Sequence, residues 1–175
     1  MIKATETKLK GCFILEPEIH YDERGYFFEI HNHKAFCEAI AQEVNFVQDN
    51  ISFSKKGVLR GLHYQKGEHA QAKLVSVLHG KVQDVVVDLR KNSETFGQHL
   101  SLELSGENKK LLFVPKGFAH GFLTLSETAR LFYKCDNYYN KDSEGSIMYS
   151  DESLGIDWKM EKDQIILSNK DNLEK

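Results

Sequence analysis

A chain of 175 residues is long enough to enclose one substantial apolar core and short for two. Its 41% hydrophobic and 28% charged residues suit a globular protein that folds in water, and a net charge of −3 excludes the broad basic surface with which proteins grip nucleic acid. Cys12, Cys37 and Cys135 are scattered, odd in number and without a Cys-x-x-Cys pair, which excludes a disulfide framework or zinc site and predicts reduced thiols in the cytoplasm. No basic start leads into an apolar run and no apolar run approaches a bilayer's thickness, so neither signal peptide nor membrane partner is expected.

In chain order, residues 12–16, 26–31 and 46–53 read as strands, the first two separated by the turn Asp22-Glu23-Arg24-Gly25. Between the second and third, Phe36, Ala39, Ile40 and Val44 recur at helical spacing and predict a helix over Lys34 to Val44. Strands follow at 58–65, 72–79, 82–90, 99–104, 111–114, 119–125 and 129–136, with Gly80-Lys81 predicting a tight hairpin. So many short, punctuated strands point to an antiparallel sandwich or barrel. Residues 137–175 are polar and turn-rich, with one amphipathic piece around Ile156 to Ile166. One domain over 1–175 is expected, with a core at about 45–136 and an extension over 137–175.

Within the strand Val58-Leu59-Arg60-Gly61-Leu62-His63-Tyr64-Gln65, a guanidinium and an imidazole sit among apolar neighbours. An unpaired buried cation is costly, so something must await it. Strict alternation puts Leu59, Gly61, His63 and Gln65 on one face and Arg60 on the other. Either a bulge near Gly57 or Gly61 re-aims Arg60, or Arg60 acts from the rim.

Pro115-Lys116-Gly117-Phe118-Ala119-His120 is similar to the P-x-G-x-x-H signature of the cupin superfamily, small antiparallel jelly-roll barrels. Metal-binding cupins carry a His-x-His pair in the earlier segment and a Glu seven residues before its closing glycine. Here those places hold His63-Tyr64-Gln65 and Lys73, ahead of Gly80. An ammonium has no lone pair and repels a dication, so the pocket is expected to be metal-free and to seek anions.

Further blocks make the resemblance specific. Asp22-Glu23-Arg24-Gly25-Tyr26-Phe27-Phe28-Glu29, Gln48-Asp49-Asn50-Ile51-Ser52-Phe53-Ser54, Gly57 to Gln65, Gln71-Ala72-Lys73, Asp84 to Arg90, Pro115 to Phe122 and Tyr133-Lys134-Cys135 resemble dTDP-4-dehydrorhamnose 3,5-epimerases, in the same order over roughly residues 10–172. The resemblance implies an all-β cupin-type jelly roll with a short N-terminal helix and a helical or irregular C-terminal extension. It implies an isomerase that epimerises C3 and C5 of dTDP-4-dehydro-6-deoxy-D-glucose in dTDP-L-rhamnose biosynthesis, which feeds lipopolysaccharide and other surface polysaccharides. The alternative is a monofunctional 3-epimerase, or an epimerase of a related nucleotide-linked 4-keto-6-deoxyhexose. No cofactor is expected: the ketone that acidifies both carbons is already in the substrate, and the sequence has no glycine-rich dinucleotide fingerprint.

By the same resemblance, His63 is the base, a suitable one because imidazole titrates near neutrality. Asp171, in Leu167-Ser168-Asn169-Lys170-Asp171, is its partner. Lys73 and Arg60 stabilise the enolate, and Tyr133 is the acid, its phenol holding a proton until a carbanion demands it. His120 joins them in the pocket; Arg24, Glu29, Gln48, Asp49, Asn50, Tyr139, Glu144 and Lys170 correspond to positions that bind the nucleotide or sugar. A homodimer is implied, in which exchanged N-terminal strands carry Arg24 and Glu29 to the partner's site.

Overall fold

The computed structural model describes residues 2–172. Its strands are β1 (Ile2–Glu6), β2 (Phe13–Pro17), β3 (His20–Asp22), β4 (Gly25–Phe27), β5 (Gln48–Lys55), β6 (Leu59–Gln65), β7 (Lys73–His79), β8 (Lys81–Asp88), β9 (His99–Ser105), β10 (Leu111–Val114), β11 (Phe118–Thr124), β12 (Thr128–Cys135) and β13 (Glu144–Ser146). A single α-helix, α1 (His33–Ile40), lies between β4 and β5 among these described elements. Hydrogen bonding arranges the strands into a six-stranded sheet, β1-β2-β10-β7-β12-β5, and a five-stranded sheet, β13-β6-β11-β8-β9, with β3–β4 a separate hairpin. Every strand pair is antiparallel, as expected of a jelly roll.

Side-chain alternation divides the apolar residues among several packed layers. Val75, Val77 and Leu131 from the larger sheet meet Val82, Val86 and Phe122 from the smaller one between the sheets. The opposite face of the smaller sheet, with Leu62, Val85, Val87 and Ala119, is covered by Ile147, Leu154, Ile156 and Trp158 of the C-terminal extension. Burial on both faces explains why β8 reads as a run of valines rather than as alternation. The far face of the larger sheet is closed by α1, whose Phe36 and Ile40 pack on Leu15, Leu74, Leu111 and Phe113. Each of the two helical side chains, being fully buried, contributes about 2 kcal/mol.

The helix is shorter than its apolar spacing predicts. Asn32 caps its start by accepting from the Ala35 N–H at 3.2 Å, and Ala41 adopts a left-handed conformation that ends it, although Val44 still reaches the same cluster. The predicted strand over 26–31 forms only at β4, whereas β1, β3 and β13 carried no sequence signal that singled them out. No helix forms around Ile156 to Ile166; that stretch is irregular apart from a 3₁₀ turn at Lys162–Gln164.

The Gly80-Lys81 hairpin is a correction. β7 pairs with β10 and β12 while β8 pairs with β11 and β9, so the glycine turns the chain from one sheet to the other. Gly80 has φ +79°, and a Cβ there would lie 2.1 Å from the Thr128 carbonyl oxygen. A turn that tight reads alike in sequence whether its strands pair with each other or with different partners. No described helix is long and apolar enough to cross a membrane.

Candidate active site

At one end of the sandwich the interior turns polar and opens into a cavity of about 480 Å³, within the usual range for a small-molecule site. The smaller sheet supplies Arg60 and His63 from β6 and His120 from β11; the larger supplies Asn50 from β5, Lys73 from β7 and Tyr133 from β12. Tyr139, Glu144, Lys170 and Asp171 complete the lining from the C-terminal extension.

The question of Arg60 is settled by a bulge. His120 stands opposite His63, yet Phe122 stands opposite Arg60, so Gly61 and Leu62 together face Gly121. The extra residue turns Arg60 and His63 to the cavity while Leu59 and Leu62 enter apolar clusters outside it. Glycine is required on both strands: a Cβ on Gly61 would lie 2.5 Å from Gly121 Cα, and one on Gly121 would lie 2.7 Å from the Arg60 carbonyl oxygen. Arg60 is held by Nε donating to Ser54 Oγ at 3.1 Å and Nη2 donating to the Phe53 carbonyl at 3.2 Å.

Two imidazole–carboxylate pairs lie side by side across the β6–β11 pairing. His63 Nε2 bonds to Asp171 Oδ1 in a short contact, and His120 Nε2 lies 2.9 and 3.0 Å from the two oxygens of Asp84. Each pair leaves Nδ1 as the ring nitrogen available to a ligand. Asp171 arrives from the tail, which is fastened to the barrel by Ile166: its N–H donates to the Gly57 carbonyl at 2.8 Å and its carbonyl accepts from the Leu59 N–H at 3.0 Å. Burial alone would raise the Asp171 carboxyl, but hydrogen bonds from His63 and Ser168 and the nearby positive charges hold it below the ordinary carboxylate range.

Lys73 faces the cavity with its Nζ 6.0 Å from the Tyr133 ring centroid. Burial pulls the Lys73 ammonium below the ordinary lysine range, partly offset by the carboxylates of Asp84 and Glu144. Among the described residues it forms no ion pair. The nearest strand neighbour, Cys135, does not neutralise it, because burial pushes that thiol up to about 11 and keeps it protonated. Burial likewise raises the Tyr133 phenol, with Cys135 adding to the shift and Arg60 opposing it, so the phenol keeps its proton at neutral pH. An ammonium lining the same cavity as two histidines makes a set that suits an anion and not a dication. The group with metal-ligating types among the described residues, His33, Cys37 and Glu43, belongs to α1 and the segment after it, outside this lining.

At the mouth, Glu144 accepts from Tyr139 Oη at 3.1 Å and pairs closely with Lys170 Nζ. Burial works against the Glu144 charge, but these two donors and nearby His63 hold its carboxyl below the ordinary range. Gln48 Oε1 accepts from the Tyr139 N–H at 3.1 Å, and Gln48 Nε2 donates to Asn50 Oδ1 at 3.0 Å.

Three of the sequence-predicted residues lie elsewhere. Asp49 alternates with Gln48 and Asn50, so it faces outward and pairs with Lys134 at 2.7 Å. Arg24 is exposed on the β3–β4 hairpin, held by Asp22. Glu29 lines a smaller surface pocket with Ile2, Pro17 and His20, and accepts from Asn32 Nδ2 at 3.3 Å. Conversely, sequence reasoning gave no role to Asp84 or Ser168. A carboxylate within the valines of β8 was a usable signal, since a charge in such a run requires a partner.

The sequence model of the family described as dTDP-4-dehydrorhamnose 3,5-epimerase matches residues 6–175. The chain is 55% identical over 158 residues to the dTDP-4-dehydrorhamnose 3,5-epimerase of Salmonella typhimurium, covering 90% of this chain and 86% of that protein. The chain belongs to the dTDP-4-dehydrorhamnose 3,5-epimerase family. The fold agrees with that assignment. The crystal structure of the dTDP-4-dehydrorhamnose 3,5-epimerase from Elizabethkingia anophelis superimposes with a TM-score of 0.94 at 59% identity, covering 98% of this chain and 94% of that one. A dTDP-6-deoxy-D-glucose-3,5-epimerase from Legionella pneumophila, solved in complex with dTDP-4-keto-L-rhamnose, superimposes with a TM-score of 0.93 at 50% identity, covering 98% and 90%.

Proposed function

We propose that this member of the 3,5-epimerase family inverts C3 and C5 of dTDP-4-dehydro-6-deoxy-D-glucose to give dTDP-4-dehydro-L-rhamnose, and that His63 and Tyr133 are its base and acid. The observation that carries the reading is that an imidazole and a protonated phenol enter one cavity from facing sheets, with an unpaired ammonium beside them. A hexose ring between the sheets presents one face to each.

His63 Nδ1 takes the hydrogen from a carbon beside the C4 ketone. Asp171 holds the ring by Nε2 and stabilises the imidazolium that forms. The electron pair moves onto the C4 oxygen, where Lys73 and Arg60 offer fixed positive charge and N–H donors without reorganising. Tyr133 then returns a proton to the carbon from the opposite face, and the inverted centre results. Solvent then takes the proton from His63 and returns one to Tyr133, and the same sequence at the second carbon inverts it too. The electron sink is the substrate's own carbonyl, so these steps call on no external group.

Gln48, Asn50, Tyr139, Glu144 and Lys170 line the mouth and are assigned to the nucleotide and sugar. Arg24 and Glu29 are assigned to a partner's cavity in a homodimer. That reading is supported by the exposed Tyr21, Tyr26 and Phe27 of the hairpin and by Ile51 and Phe53 on the outward face of β5, 68% and 51% exposed. We further assign the enzyme to the cytoplasm and treat residues 1–175 as one epimerase domain.

Incubating the dTDP-linked 4-keto sugar with the enzyme in deuterium oxide tests the reaction directly. Deuterium at both C3 and C5 is expected. Label at C3 alone assigns the chain to monofunctional 3-epimerisation, and label at neither carbon refutes the proposal. His63→Ala is expected to lose turnover by orders of magnitude while keeping affinity for dTDP.

A further inference from the structure

Asp171 must present one oxygen to His63 in a fixed orientation, and the structure shows what holds the other. Ser168 Oγ donates to Asp171 Oδ2 at 2.8 Å while Oδ1 meets His63 Nε2, so the carboxylate is gripped at both ends. The Asp171 N–H lies 3.3 Å from the same hydroxyl oxygen, which therefore stands beside both the side chain and the main chain of the residue it holds.

The hydroxyl is not needed to build the turn or to fasten the tail. The turn is closed by main-chain bonds, from the Asp171 and Asn172 N–H groups to the Ser168 carbonyl, both at 3.1 Å. The tail is fastened immediately before, by the two Ile166 bonds and by Leu167 packing on the cluster of Leu59, Leu123 and Tyr149. What remains specific to the hydroxyl is its bond to Oδ2. Without it, a buried oxygen is left short of a partner and the carboxylate is free to turn about its Cβ–Cγ bond. A turning carboxylate no longer selects the Nε2–H tautomer, and only that tautomer leaves Nδ1 unprotonated toward the cavity.

We propose that Ser168 is a positioning residue for catalysis, locking the Asp171 carboxylate so that His63 is held in the tautomer that acts as base. The inference rests on the epimerase reading for its catalytic consequence, but its structural half stands apart from it.

The test compares the wild type with Ser168→Ala, Ser168→Thr and Ser168→Cys. Nitrogen-15 NMR of the histidine rings, at a pH above the imidazole titration, reads the His63 tautomer. Deuterium exchange at C3 and C5 reads turnover. The wild type is expected to show a single Nε2–H tautomer and Ser168→Ala a mixture. With Ala, kcat should fall about tenfold, a small share of the roughly 10²–10⁴-fold that a general base supplies, while KM stays within about threefold. Threonine restores the donor and should recover most of both losses. Cysteine keeps the shape with only a weak donor and should behave like alanine, which covers the case of an alanine variant whose tail loosens. An unchanged His63 tautomer in both Ala and Cys variants, or failure of Thr to restore it, overturns the proposal. Absence of exchange in the wild type would refute the epimerase reading instead, while the tautomer comparison still decides the role of Ser168.

Discussion

Lys73→Met separates catalytic need from folding need, because the two pull in opposite directions at this residue. The substitution keeps the length and apolar stem of the side chain and removes its charge. Nζ stands over the Tyr133 ring, 6.0 Å from its centroid, so a sugar held between the sheets can bring its C4 oxygen to about 3–4 Å from the ammonium. A unit negative charge forming about 4 Å from the ammonium is stabilised by about 4 kcal/mol at an effective dielectric near 20. That is about three orders of magnitude in rate. Arg60 remains, so a loss of about 10²–10³-fold in kcat/KM is expected. Stability should move the other way. The Lys73 pKa is depressed on folding, chiefly by burial, so its charge opposes folding below the folded pKa. That penalty disappears as pH rises above the unfolded value, near about 10. Among the described residues no ion pair is lost on substitution, so the Met variant should melt at or above the wild-type temperature at pH 7, with the gain shrinking toward alkaline pH. Solvent-deuterium exchange and thermal unfolding at several pH values check both halves. Exchange within tenfold of wild type, or a variant less stable at neutral pH, would refute this account of the cavity.

Tyr133→Phe should slow completed inversion more than loss of substrate hydrogen, read by comparing tritium washout with product formation; equal losses would deny the phenol its acid role. Asp88→Asn should cost about 3–5 kcal/mol at pH 7. Burial disfavours that carboxylate, yet Arg90, Ser93 and Thr95 hold its pKa below the ordinary range, so it stabilises the fold above about pH 4 and progressively less as pH falls. Urea unfolding from pH 7 to pH 3 should therefore show a shallower acid decline in the variant than in the wild type. Gly61→Ala should displace the bulge that aims Arg60 and His63, since the new methyl would lie 2.5 Å from Gly121 Cα; circular dichroism and exchange rates together should show a destabilised, nearly inactive protein. Mixing His63→Ala with Arg24→Ala subunits should recover activity if the hairpin of one subunit serves the cavity of the other, and no recovery would deny the exchanged dimer.

Strand positions were legible because two-residue alternation and the turn residues between runs are local. Patterning alone raised only the question of Arg60 and His63 among apolar neighbours; the roles of His63, Lys73, His120 and Tyr133 came from the resemblance of their motifs to a known family. The segments that carried no strand signal are those whose state is decided by a neighbour. β13 exists because Glu144–Ser146 lies along Gln65 to His63, and the Gly80 turn changes sheets because β7 and β8 find other partners.

What the linear order of residues determined by itself was a chain of many short strands with a polar tail; the resemblance of its motifs then implied a cavity provided with an imidazole, an ammonium and a phenol, and a candidate carboxylate in that tail. Tertiary structure alone decided which of these meet. Strict alternation would have turned Arg60 away, and it took the slip of β6 against β11 at Gly61 to bring it in. Asp84 acquired its role only when β11 laid His120 beside β8. The same pleat that admits Gln48 and Asn50 turns Asp49 outward. Alternation and turn chemistry are properties of neighbours along the chain, whereas register, bulges and the fold-back of a tail are set by contacts between residues far apart in it.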